Sequence, residues 1–468
     1  MGTLDRARTL PGGARLIGLF ERFVPRGAVV LSVLTFASYA MGLVRDRVLT
    51  RSFGAGAELD AFNAAFVIPE LVLGVIVASG LAAPFIPIYT GLKRDDAGAA
   101  HGFGQTILTG AVLAMAVAGA ILFVIAPWTV EIVAPGFGPE QRDLYTALFR
   151  VMSVTPVIFA ASIALGEVLV AERRFVFYGL APLLYNLGIV LGTLVLTGSI
   201  GIFGPAVGAV LGALLHLGIR VIGTFRTTFR IRPRLTIHTR AVGEFIRLMI
   251  PKTLSSPVEP LTFLFFTRVA SGLVAGSITT VNLARNFQSV PVSLIGVAFS
   301  IAAFPGLAAA YAAGDRPGYT RLVRSNSATI GVLTTLAAVG LAVVGPLAVG
   351  LFFGGGRFDA DDVARTSLAL SVFALSVPFE SLGHLLSRAI YATRHTVLQV
   401  VATLVGFGVT ILSTIMLVEP LGATAIPLGF SLGAIVRCVL LAVVLVRRIR
   451  SMPTTPSHLV DSPEASPA

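Results

Sequence analysis

GLVRDRVLTRSFGAGAELDAF, residues 42–62, places Arg45, Asp46, Arg47, Arg51, Glu58 and Asp60 between two long apolar runs. Charges at the edge of a hydrocarbon layer are costly, and where they persist they mark function. The other reading is a solvated inter-helix loop that turns at Gly54 and Gly56. What flanks the segment is membrane. With 55% hydrophobic residues, 12% charged and a mean hydropathy of +0.88, the 468-residue chain is too apolar for a soluble globule.

The single cysteine, Cys438, excludes an internal disulfide and any multi-cysteine metal site, and the six histidines have no ligand spacing. No metal is implied. The net charge of +12 is carried by short loops between apolar runs, which points to membrane topology and anionic lipid and not to nucleic acid. Residues 1–26 form a basic tail without a signal-peptide cleavage pattern and read as cytoplasmic.

Runs long enough to cross a bilayer follow at 29–44, 61–89, 103–128, 144–170, 175–196 and 200–222. After a basic stretch holding Arg226, Arg230, Arg232, Arg234 and Arg240, six more come at 245–274, 278–312, 328–353, 366–391, 397–418 and 423–446. The chain is therefore expected to be an all-α polytopic membrane protein of about twelve transmembrane helices. Its parts are an N-terminal six-helix bundle (27–224), a basic cytoplasmic linker (225–244), a C-terminal six-helix bundle (245–447) and a disordered tail (448–468). Lys93, Arg94, Arg173, Arg174, the linker and Arg447 to Arg450 fall on the side of the N-terminus, so both ends are expected in the cytoplasm.

The halves match at an offset of about 220 residues: Pro69 and Gly74 with Pro291 and Gly296, Pro156 with Pro378, Gly188 with Gly408, Pro205 with Pro427. An even number of spans in each half requires parallel repeats, related by a pseudo-two-fold axis along the membrane normal. Two such bundles across a central cleft are the physical basis of alternating access.

Residues 42–62 resemble the first signature of the MviN/MurJ family, the lipid II flippases of peptidoglycan synthesis within the MOP exporter superfamily. Pro84 to Pro87, Ala134 to Phe137, Leu351 to Phe358 and Tyr391 to His395 resemble further family segments. Arg45, Asp46 and Asp60 carry over directly, and Arg285 stands one position from a family arginine. Tyr39, Leu73, Gly74 and Ser79 occupy places where the family has charges, and the family's two further C-terminal helices have no counterpart here. The resemblance implies a MOP/MATE-like fold in the bacterial cytoplasmic membrane. It implies a transporter and not an enzyme, acting on a polyprenyl-diphosphate-linked saccharide among membrane lipids. It would work as a monomer, with the cell-wall synthesis machinery as its associate, in cell-wall biogenesis and cell shape.

Such a cargo needs cations for its diphosphate and polar groups for its sugars, and arginine's rigid fork suits phosphate. The expected substrate-binding residues are Arg45, Asp46, Arg47, Asp60, Arg268, Arg285, Asn286 and Gln288, with Asn282 beside them. Arg45 and Arg285, one from each bundle, are expected to grip the diphosphate. The alternatives are that Arg268 snorkels to the interface, that Arg285 pairs with an acid for packing, and that the amides join helices. Glu259 and Glu380, each near prolines, are expected to bind Na⁺ or H⁺ as the coupling ion; the alternative is a kink whose acid pairs with Arg268 or Arg388. No other cofactor is expected, because no nucleotide motif occurs. His216 and His384 read as hydrogen-bonded core groups, and Glu167 and Glu172 as a salt-bridge patch beside Arg173 and Arg174. Lipid II is the expected cargo. Other readings are a MOP exporter of another lipid-linked oligosaccharide or of a small drug, which an acid-lined cavity would favour, and a membrane glycosyltransferase, which would need a larger outer loop.

Overall fold

The computed structural model describes residues 26–78, 81–254, 258–393 and 397–452. The N-terminal tail to residue 25, Ser79, Pro257, Arg394, His395 and the tail from 453 lie outside the described residues. A backbone in hydrocarbon must satisfy its hydrogen bonds internally, and the described chain is accordingly helical. In order the helices are α1 (Arg26–Phe53), α2 (Ala57–Leu73), α3 (Ala82–Asp95), α4 (Ala97–Val133), α5 (Pro139–Met152), α6 (Thr155–Ala171), α7 (Phe175–Ile200) and α8 (Phe203–Phe225). Then come α9 (Arg240–Leu254), α10 (Val258–Ser271), α11 (Ser277–Pro291), α12 (Ala298–Ala312), α13 (Arg316–Phe353), α14 (Ala360–Ala374), α15 (Val377–Ala392), α16 (Val397–Leu421) and α17 (Ala425–Arg450).

Nine helical runs among the described residues are long and apolar enough to cross a membrane, or ten when α14 and α15, bent by 41°, count as one span. One run, Val397–Arg450, is 54 residues long, far more than the roughly 20 a bilayer needs. It is a hairpin, α16 against α17, closed where Gly433 meets Thr410 and Gly429 meets Thr414. Each expected span other than the seventh thus has a counterpart. Over 245–274, where one helix was expected, residues 255–257 lie outside the described residues, with α9 and α10, of 15 and 14 residues, on either side.

Two compact units result, one of residues 1–53 and 57–261, the other of 54–56 and 262–468. The division falls inside α10 and not at the expected 244/245 boundary, because α9 belongs to the core of unit 1. Its Val242 and Phe245 are buried there, Phe245 edge-on to Phe103 at 5.9 Å, in a cluster with Phe85, Tyr89 and Phe229. In unit 2 the corresponding core gathers Leu307, Tyr319, Ile330, Leu385 and Leu441, and the Tyr319 hydroxyl donates to the Ala389 carbonyl at 2.7 Å.

The internal repeat is visible in the backbone. After Pro69 the second helix widens into a π-turn at Gly74–Ala78, and after Pro291 the chain does the same at Val292–Val297. Proline lacks the amide that the regular ladder needs, and a π-turn absorbs the slip. Pro156 and Pro378 both sit in the first turns of their helices, α6 and α15. Each unit also contains a small-residue hairpin: α7 and α8 touch through Gly188, Gly192, Gly208 and Gly212 as α16 and α17 do through Gly406, Gly429 and Gly433.

Candidate functional sites in the two units

The charges of residues 42–62 are mostly on a helix and not in a loop. α1 continues nine residues past the expected end at Val44 to Phe53, so Arg45, Asp46, Arg47 and Arg51 ride its last turns. The link is only residues 54–56, which group with unit 2, where the Ala55 amide donates to Asp362 Oδ2 at 3.0 Å and Gly54 adopts φ 69°. Arg45 donates from Nε and Nη2 to Asp46 Oδ1 (2.9 and 2.7 Å) and from Nη1 to Asn186 Oδ1 on α7 (3.0 Å). Asp46 is buried while the Arg45 side chain keeps 27% of its surface, so the centre is neutralised but reachable. Asp60 is buried in the first turn of α2, where a carboxylate complements the helix dipole. Arg47 is half-buried beside them in sequence.

In unit 2 the structure brings together residues 95 apart. Arg285 on α11 forks onto Glu380 on α15, Nη1 to Oε2 at 3.1 Å and Nη2 to Oε1 at 2.9 Å. Arg285 Nη1 also meets Gln288 Oε1, and Gln288 Nε2 donates to Glu380 Oε2 (2.9 Å) and Ser376 Oγ (2.8 Å). The guanidinium lies over the Phe430 ring, 4.6 Å from its centroid. The side chains of Arg285 and Glu380 keep only 9% and 12% of their surface, and Gln288 and Ser376 are fully buried.

Thus Arg285 and Gln288, one helical turn apart, share a face with the site, while Asn286, a neighbour in sequence but not on the helix surface, is exposed. Arg268 and Glu259 are exposed at the two ends of α10. The structure changes the expected setting of Glu380. Pro378 is at the start of α15, where its missing amide costs no hydrogen bond, and the Glu380 amide is bonded regularly to the Ser376 carbonyl at 2.8 Å. The helical span is interrupted just before it, at Leu375 and Ser376 between α14 and α15, and the carboxylate is held by Arg285.

Sequence reasoning missed Asn186, Ser376 and Phe430, and a third polar cluster within unit 1. Arg220 is buried, stacked on Tyr178 at 4.8 Å, with Nη1 donating to the Ser162 carbonyl at 2.7 Å. His216 shares a hydrogen bond with Ser162 Oγ (2.7 Å), as a core histidine should. Glu167 lies buried near this arginine, and Glu172 pairs with Lys93 (2.5 Å), so neither pairs with Arg173 or Arg174 as the sequence suggested.

Repeated helical units, each holding a charged centre in an apolar bundle, define a polytopic membrane transporter of the MOP type. Two of the solved structures that share this fold match it over nine-tenths of the chain. One is the lipid II flippase MurJ in an inward closed conformation (TM-score 0.76, 21% identity, 91% of this chain and 88% of that one). The other is an inward-facing MATE-family multidrug resistance transporter of the MOP superfamily (TM-score 0.74, 14% identity, 92% and 99%). The family profile described as lipid II flippase MurJ matches residues 49–460, and the chain belongs to that family. Relatives include the probable lipid II flippases MurJ of Thermotoga maritima, 29% identical over 87% of this chain and 82% of that one, and of Rickettsia prowazekii, 25% identical over 87% and 81%. The chain is a multi-pass protein of the bacterial inner membrane.

Proposed function

We propose that the protein is a flippase that moves an undecaprenyl-diphosphate-linked cell-envelope precursor, peptidoglycan lipid II, across the inner membrane by alternating access, with both termini in the cytoplasm. It is a transporter and not an enzyme. Family membership supports the cargo class, and the observation that carries the reading is the Arg285 fork. Carboxylate and phosphate offer arginine the same pair of oxygens. Glu380 therefore holds, in the cargo-free protein, the place that a diphosphate would take, and arrival of the headgroup releases the carboxylate. Freed from Arg285, Glu380 is the candidate for Na⁺ or H⁺ as coupling ion, with His384, Arg388 and Arg437 as the other charged or titratable groups about it.

The test is rescue of a bacterium depleted of its own lipid II flippase. The wild-type chain should restore growth, Arg285→Ala should not, and Arg285→Lys should do so poorly, because lysine keeps the charge but not the fork. With purified protein and a short-chain polyprenyl diphosphate, Arg285→Ala should lose about 2 to 5 kcal/mol of binding. A wild-type chain that inserts normally and fails to rescue, or an Arg285→Ala protein that binds as tightly as wild type, defeats the reading.

A further inference from the structure

The linker between α8 and α9 is not a solvated loop. Phe229 is fully buried, its ring against Tyr89 and His101 and tight over Gly104, where an added Cβ would come within 2.8 Å. From there the chain runs extended along one face of α4. The Gln105 side chain donates to the Arg230 carbonyl (2.8 Å), Thr109 Oγ1 accepts from the Arg234 amide (3.1 Å), and Thr106 Oγ1 accepts from the Thr236 amide (3.3 Å). Pinned in this way, the strap alternates Arg230, Arg232 and Arg234 with Ile231, Pro233 and Leu235, and Ile237 follows Thr236. The side chains of Ile231, Leu235 and Ile237 point away from the protein, at 38%, 55% and 53% exposure. Among the described residues no carboxylate pairs with these arginines, and none occurs between 226 and 243 in sequence.

The height of the strap follows from α4. Its lipid-facing side chains, Leu113, Val117, Ile121, Val124, Trp128 and Ile132, are each at least half exposed. From Leu113 to Ile132 is roughly 28 Å at 1.5 Å per residue, the thickness of a hydrocarbon core. Thr109 is one turn, about 6 Å, outside that edge, within the headgroup layer of roughly 5 to 8 Å. Arg234 and Leu235, held at Thr109, are thus at headgroup height, where apolar side chains dip inward and guanidinium groups meet phosphates, while Arg230 and Thr236, held at Gln105 and Thr106, are about 10 to 12 Å from the edge on its water side.

We propose that residues 230–237 are an interfacial strap that binds anionic phospholipid on the leaflet at the α8–α9 end of unit 1. The interaction has two parts. Leu235 enters the acyl boundary, and Arg230, Arg232 and Arg234 select anionic over zwitterionic headgroups, each arginine contributing up to about fivefold at a charged surface. The pinning hydrogen bonds from α4 hold the strap at a fixed height, from which the long arginine side chains reach phosphates while Leu235 turns to the acyl boundary.

Trp128 is the only tryptophan, so a Trp128→Phe, Leu235→Trp protein carries one reporter in the strap. The full chain is reconstituted into phosphatidylcholine vesicles containing brominated phosphatidylglycerol or brominated phosphatidylcholine. The reporter should be quenched by both, and by the anionic lipid at a several-fold lower mole fraction. Changing Arg230, Arg232 and Arg234 together to glutamine should abolish that preference while leaving quenching by brominated phosphatidylcholine. If the triple variant unseats the strap, shown by loss of both, Arg232→Gln alone decides, since its side chain makes no hydrogen bond to the protein; it should lower the preference measurably. Equal quenching by the two lipids, a preference that survives the arginine changes, or a reporter open to aqueous iodide and untouched by bromolipid would overturn the proposal, the last by exposing the strap to a soluble partner instead.

Discussion

Arg285 and Glu380 are worth more to each other than either is alone. A buried ion pair is a weak source of stability, but breaking it by removing one partner leaves a charge in an apolar interior and costs about 3 to 5 kcal/mol. Glu380→Leu should therefore lower the melting temperature of the detergent-solubilised protein more than Arg285→Met with Glu380→Leu together, a sign that a double-mutant cycle reads directly. If the two single changes simply add, the fork at 2.9 and 3.1 Å is not formed in solution. The arginines and the glutamate were legible in the sequence because a charge in an apolar run is expensive. Their pairing was not. Nothing in the period of either helix tells which faces will meet across 95 residues, and Asn186, Ser376 and Phe430 are ordinary residues in apolar helices until a guanidinium is placed beside them.

At the scale of elements, small residues decide how near two helices come. Gly192 on α7 faces Gly208 on α8 so closely that a Cβ would fall 2.7 Å from the Gly208 amide nitrogen, whereas Gly198 on the same helix faces open space. Alanine is the better helix former by nearly 1 kcal/mol, so Gly198→Ala should leave stability unchanged or slightly raised. Gly192→Ala should lower it by about 1 to 3 kcal/mol through overpacking, and a thermal melt of the two proteins compares them within one helix. The glycines, the prolines and the length of each apolar run were readable before any coordinates, which is why the spans and the repeat were expected. The expected seventh span, 245–274, carries Arg247, Lys252, Glu259 and Arg268 among its apolar residues. The amphipathic face that puts Val242 and Phe245 into unit 1 shows only once the helix is known to start at Arg240.

For the whole molecule, the expected arrangement has both ends in the cytoplasm, and α4 supplies the means to check it. Ala99, in the first turn of that 37-residue helix, and Gly138, beyond its last residue, mark its opposite ends. In a Cys438→Ser background, Gly138→Cys should react with a membrane-impermeant thiol reagent added to intact cells, and Ala99→Cys only after the membrane is opened. The reverse pattern would invert the topology and place the strap on the outer leaflet.

The two charged centres are each cancelled locally, Arg45 by Asp46 and Arg285 by Glu380. That has an electrical meaning. A full charge carried across the membrane does work of about 2.3 kcal/mol per 100 mV, so a carrier that returns empty with its arginines cancelled lets the membrane potential push on it very little. On the proposed function, voltage would then act mainly on the loaded form, through the negative cargo, and little on the reset of the cycle. Glu380→Gln leaves the Arg285 charge uncompensated. Proteoliposomes of that variant on a capacitive electrode should show a displacement current without cargo that the wild-type protein lacks; equal currents from the two would mean that the resting charges are not cancelled where they move.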